Sequence, residues 1–193
     1  MKKSTIGLIA AVVIIGGWVM SSYNGMVSEQ EKATTAVANV QSAYQRRADL
    51  IPNLVEVVKG YASHEKSTFE AVVNARAKAT QITLDPSNLT PEKLKEFQQA
   101  QGELSSALGR LLAVQENYPE LKANENFRDL QVQLEGTENR INEARNTFNK
   151  VVQNYNIYIR TFPKNIIAGI FGFQKMDKFE ADAGSENAPK IKF

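Results

Sequence analysis

The chain has one histidine and no cysteine, and those two counts limit most of the chemistry open to it. His64 stands beside Glu65, an arrangement in which a carboxylate could orient a general base. A nucleophile, base and orienter set would also need Ser and Asp partners, and no motif around this pair supplies them. A surface or capping histidine is the plainer reading. A di-iron site in a helical protein needs Glu-x-x-His motifs on two helices, which a single histidine does not furnish. Without cysteine there is no disulfide, thiol nucleophile, lipoprotein anchor or thiolate zinc site. Gly102, Gly109 and Gly136 stand singly in helical sequence rather than in a phosphate loop, so they are expected to mark close approach of helices. The expectation is therefore no catalytic, metal or cofactor residue.

The remaining charged constellation is Arg46, Arg47, Asp49 and Asn53, which surround Pro52. The arginine pair could hold an acidic partner or lipid headgroups, but set against Asp49, Glu120 or Glu125 it reads better as a structural salt-bridge set. Asp49 is placed to cap a new helix, with Pro52 in its first turn where a missing N–H costs little. The stretch is therefore predicted to be a corner at which the chain reverses.

The elements that would position these residues are helical. With 42% hydrophobic and 23% charged residues among 193, only 6 Pro and 11 Gly, the composition is that of one folded, helix-rich domain with appendages. A net charge of +2 without long basic runs argues against nucleic acid as a partner. Near the start, Ile6 to Met20 is apolar without a charge, with Trp18 and Tyr23 at its far end. The uncharged run from Ser4 to Ser28 covers the roughly 20 residues that a spanning helix requires. No small-residue cleavage site follows it, so an uncleaved single-pass anchor over residues 1–26 is expected rather than a signal peptide. Lys2 and Lys3 against Glu29 and Glu31 place the N-terminus in the cytoplasm and the body outside.

Residues 27–162 show four helical stripes. Val27, Ala33, Val37, Val40, Tyr44 and Ala48 make the first. Leu54, Val58, Tyr61, Phe69, Val72 and Val73 make the second, beyond the corner. Thr90 and Pro91 are an N-cap and first-turn proline for the third, which carries Leu94, Phe97, Leu104, Leu108 and Leu111 and stops at Tyr118-Pro119. The fourth runs from Phe127 to Phe162, ends at Pro163, and needs partners along its whole length. The predicted fold is all-α: a transmembrane helix followed by an elongated up-and-down four-helix bundle. Residues 163–180 form an apolar C-terminal segment whose start, KNIIAGIFGF, is about half the length of a span. Residues 181–193 read as a flexible tail.

Several long motifs, RRADLIPNLVEVVKGYASHE, NYPELKANENF, ENRINEARNTFN and FPKNIIAGIFGF, together with the N-terminal anchor, resemble the bacterial LemA family over nearly the full length. The resemblance implies a membrane-anchored four-helix bundle of the cell envelope with no established enzyme activity, cofactor or catalytic residue. Two functional readings follow. One is a non-catalytic interaction or scaffold protein that binds a protein partner or copies of itself; the other is a lipid- or envelope-ligand-binding module, or an unrecognised enzyme, with KNIIAGIFGF gating an apolar cleft. Counting helices from the membrane gives two expected surfaces. Arg46, Arg47, Asp49 and Asn53 should meet Asn117, Tyr118, Glu120 and Asn124 at the distal tip. Ile166, Ile167, Ile170, Phe171 and Phe173 should return to the membrane or to a neighbouring subunit.

Overall fold

The computed structural model describes residues 3–86 and 89–180. Lys2 and the tail from Ala181 to Phe193, on which two of the expectations above rest, lie outside the described residues. Among those described, every regular element is helical.

Helix α1 spans Lys3–Tyr61, 59 residues, or about 90 Å at 1.5 Å per residue. Its first third leaves Leu8, Val12, Val13, Ile14 and Met20 exposed, and by length and composition it can cross a membrane. From Met26 onward one face turns inward, burying Ala33, Val37, Val40, Tyr44 and Ala48 as the three-four spacing predicts.

The expected reversal at Pro52 does not occur: the proline lies inside α1, and Val37 and Val58 belong to one helix. Proline in a helix removes one N–H and leaves the carbonyl four residues back without its donor. That carbonyl belongs to Ala48, which is buried, so water cannot serve it. Arg76 on the next helix donates its Nε–H to Ala48 O at 2.8 Å, and the proline ring faces solvent. The lost bond is thus replaced from a neighbour and the helix continues. The chain reverses only after Tyr61, in a turn closed by Ala62 N–H to Val58 O at 2.9 Å and Glu65 N–H to Ala62 O at 3.0 Å.

Helix α2, Lys66–Gln81, buries Phe69, Val72 and Ala79 and leaves Val73, expected inside, exposed. Helix α3, Pro91–Ala113, begins as predicted: Thr90 accepts from Lys93 N–H and Pro91 occupies the first turn. Its stripe from Leu94 to Leu111 is buried throughout. A 3-10 turn at Val114–Glu116 and the short α4, Pro119–Ala123, lead to α5, Glu125–Arg160, capped by Asn124 accepting from Phe127 N–H. Helix α6, Lys164–Phe171, ends on Gly172, whose φ of 76° is the left-handed cap conformation that favours glycine. Residues 173–180 then run without helix back along α5.

Cross-contacts fix the directions. Asn124 meets Tyr61, Glu138 meets Arg47, and Tyr158 covers Gly25, so α5 is antiparallel to α1. Lys78 pairs with Glu103, and Gln101 with the Ala79 carbonyl, between α2 and α3. Among the described residues three apolar clusters fill the interior: Leu54, Val58, Val72, Leu104, Leu111 and Phe127 at the far end; Val40, Phe97, Ile141 and Phe148 in the middle; Met26, Tyr155, Ile159 and Ile167 nearest the apolar stretch. Gly102, Gly109 and Gly136 face open space, contrary to expectation; the close approach is at Gly25, where an added Cβ would strike the Tyr158 side chain.

Arg76→Ala is expected to cost about 1–3 kcal/mol, the penalty of an unsatisfied buried acceptor. In a Pro52→Ala background the restored N–H serves Ala48 O, and the same substitution is expected to cost less than about half as much. A double-mutant cycle on urea unfolding in detergent measures this coupling; equal costs in both backgrounds would separate Arg76 from the proline.

Candidate functional site

Three places on this body combine polar groups with an unusual environment. The first is Arg47, whose side chain is 4% exposed. Its guanidinium donates to Ser105 Oγ at 2.9 Å, Glu138 Oε2 at 3.1 Å, Gln101 Oε1 at 2.7 Å and Gln101 O at 3.3 Å. Gln101 in turn donates its amide to Ala79 O at 3.2 Å, and the cation lies over the Tyr44 ring, 5.1 Å from its centre. One arginine on α1 therefore ties together α2, α3 and α5. A buried cation is costly unless paired and hydrogen-bonded, and here the pairing carboxylate is half exposed. The arrangement is a structural cross-link with no reacting centre.

The second place is the end nearest the apolar stretch. Ile167 and Ala168 on α6 are buried against Met26, Tyr155 and Ile159. Ile166, Ile170 and Phe171 face outward at 55%, 73% and 52% exposure, and Phe162, expected in the α5 seam, is also exposed. Tyr23 on α1 packs its ring 4.9 Å from Phe171 and 5.6 Å from Phe173, which sets the outer face of α6 beside the exposed apolar part of α1. Lys164 Nζ stands 3.6 Å over the Tyr158 ring.

The third is the strap formed by residues 173–180. Asn156 on α5 donates to Met176 O at 2.8 Å and accepts from Met176 N–H at 2.9 Å. Asn149 treats Phe179 in the same way, at 3.0 and 2.9 Å. Tyr155, whose hydroxyl is kept protonated well into alkaline pH because burial raises its pKa, donates to Gln174 O at 2.9 Å. Gln98 and Arg145 both donate to Glu180 O. Phe179 is buried, its ring 5.1 Å from Phe148 and 6.4 Å from Phe97.

The residues singled out by sequence are distributed differently from expectation. Arg46, Asp49 and Asn53 are exposed on α1, and Asp49 accepts from Gln45 within its own helix. Because α1 continues through Pro52, Arg47 lies about 21 Å short of Tyr61 along the axis. Its carboxylate partner is Glu138 rather than Asp49, Glu120 or Glu125. Asn117 and Glu120 are exposed and Tyr118 is half-buried; this turn meets the end of α1 through Asn124 and Tyr61, 2.9 Å apart. His64 is exposed in the turn after α1. Among the described residues no three acidic or histidine side chains gather where they could hold a metal. Asn149 and Asn156 escaped sequence reading, although two asparagines seven apart beside an apolar seam were a signal for something laid along that face.

Comparison with known proteins bears out the family resemblance. A model of the LemA family matches residues 36–193. The chain is 28% identical over 189 residues to magnetosome protein MamQ 2 of Paramagnetospirillum magneticum, covering 89% of this chain and 70% of that one. It is 28% identical over 199 residues to magnetosome protein MamQ of Magnetospirillum gryphiswaldense, with 94% and 72% covered. It is 25% identical over 156 residues to Protein LemA of Metamycoplasma hominis, with 81% and 65% covered.

The Arg47 cross-link predicts an order of sensitivities. Gln101→Leu leaves part of a buried guanidinium and the Ala79 carbonyl without partners, and is expected to cost about 3 kcal/mol. Glu138→Gln removes a half-exposed charge and is expected to cost under about 1 kcal/mol. Urea unfolding of both variants checks the order; a reversed order would make the Glu138 charge, rather than the buried amide, the principal partner.

Proposed function

The chain belongs to the LemA family, and from that premise we propose that it is a non-catalytic interaction scaffold of the bacterial envelope. In this reading α1, α2, α3 and α5 form an elongated up-and-down four-helix bundle held by a single-pass anchor. The N-terminus is cytoplasmic, and the body faces outward toward a protein partner or further copies of itself. The observation that carries the reading is the continuity of α1, which passes from an apolar stretch left uncovered by the body into the core helix of the body. A bundle joined to its anchor by one unbroken helix is displayed at a fixed distance from the bilayer. Exposed Arg46, Asp49 and Asn53 along α1, and Asn117 and Glu120 at the far turn, are the partner surface assigned here.

The outer face of α6 completes the anchor in this reading. Ile166, Ile170 and Phe171 would enter the headgroup region beside Trp18 and Tyr23, aromatic residues of the kind enriched at that depth. Lys164, at the start of α6, would stand toward anionic headgroups. An apolar group this exposed normally marks a contact surface, and an adjoining membrane span supplies one.

Since the chain has no cysteine, single cysteines report without a background. A fluorophore on Ile170→Cys in proteoliposomes is expected to be quenched by shallow lipid-borne quenchers, whereas one on exposed, distal Val132→Cys is not; equal behaviour at both positions would remove α6 from the membrane. The Val132→Cys variant should also react with an impermeant thiol reagent while the inner membrane is intact. Labelling only after lysis would invert the orientation.

A further inference from the structure

We propose that the groove between α3 and α5 is a peptide-binding site for extended segments bearing an apolar residue and a phenylalanine three positions later, filled in this chain by its own residues 174–180. The inference rests on the strap contacts and is independent of the membrane reading above.

The geometry is that of a ligand held by its backbone. Asn149 and Asn156 each offer one donor and one acceptor to the N–H and C=O of a single strap residue, Phe179 and Met176 respectively. This is the exchange a neighbouring β-strand would make. The registers agree: seven residues of helix rise about 10.5 Å, and three residues of extended chain cover about 10 Å. A row of amides at this spacing on one helical face therefore reads any extended backbone laid antiparallel to α5. Tyr155 extends the row at Gln174, and Gln98 and Arg145 close it at Glu180, all through strap carbonyls.

Backbone contacts give affinity without regard to sequence, and specificity falls to the pockets between them. Phe179 fills the principal one. It is 5% exposed, meets Phe148 edge-on and Phe97 at a tilt, and lies under the Arg145 guanidinium at 5.5 Å. Met176 packs partly buried at the second position. Gln174, Lys175 and Lys178 point to solvent and are free to vary. The strap follows Gly172, so it is joined to the body by a turn rather than by a helix.

The test keeps the full chain in detergent and inserts a protease recognition sequence between Phe173 and Gln174. After cleavage the C-terminal fragment is expected to stay bound through gel filtration and to be displaced by an excess of synthetic peptide covering residues 174–180. The Phe179→Ala peptide should compete about 30-fold less well or worse, and displacement should accelerate in the Asn149→Ala, Asn156→Ala double variant. Circular dichroism and thermal melting of the cleaved, peptide-stripped protein decide the other arm. A folded body that rebinds the peptide supports a site. A body that unfolds when the fragment leaves, or a fragment that neither stays nor rebinds, makes the strap part of the core and overturns the proposal. Equal competition by the two peptides would overturn the assigned specificity.

Discussion

The carbonyl of Ala48 has no donor within its own helix, because the residue four positions on is Pro52, and its burial rules out water as a substitute. Arg76 supplies the missing bond from α2. Much of the architecture depends on this substitution. With it, α1 continues to Tyr61, and the turn to α2 falls beyond the proline. The length of α1 then sets where α5 must begin and how far the body reaches from the apolar stretch. Without it, a buried orphan acceptor would cost about 1–3 kcal/mol, a large share of the stability of a typical domain.

Arg47, one residue before Ala48, works in the same region by a different route. Its cross-link to Gln101, Ser105 and Glu138 lies between the far apolar cluster, built around Leu54 and Leu104, and the middle one, built around Phe97 and Phe148. Apolar packing stabilises the helices without fixing their axial register closely, since neighbouring ridges and grooves repeat along the axis. Directional bonds from one guanidinium to two helices do specify a register. On the other face, Asn149 and Asn156 do comparable work for the strap. In all three places a polar group inside or beside the core bonds across elements, although the buried Nε of Arg47 is left without a partner, and each joins parts of the chain far apart in sequence.

That distance explains what the sequence revealed and what it concealed. The stripe from Leu94 to Leu111, the Thr90 cap and the first-turn Pro91 were legible because they depend on neighbours within a turn or two. The reversal was placed too early because a proline's effect on a helix was judged locally, while the group that offsets it, Arg76, is recognisable only in the folded arrangement. Arg47 was read as part of a salt-bridge set with Asp49, Glu120 or Glu125, and its actual partner, Glu138, is recognisable only in the fold for the same reason. KNIIAGIFGF was seen as one apolar group, but helical geometry divides it, sending Ile167 inward and Ile166, Ile170 and Phe171 outward. The strap is polar in composition and is held chiefly through its backbone, which side-chain patterns do not report. Beyond the spacing of Asn149 and Asn156, little in the side chains pointed to it.

The central claim is that α1 is one unbroken helix from the apolar stretch to Tyr61. Spin labels at Glu31→Cys and Lys59→Cys, both exposed positions on α1, test it by a pulsed electron-electron distance measurement in lipid. A continuous helix predicts a separation of about 42 Å at 1.5 Å per residue. A reversal at Pro52 would bring the labels to about 20–25 Å by the same rise and one interhelical spacing, and a distribution centred there would contradict the account.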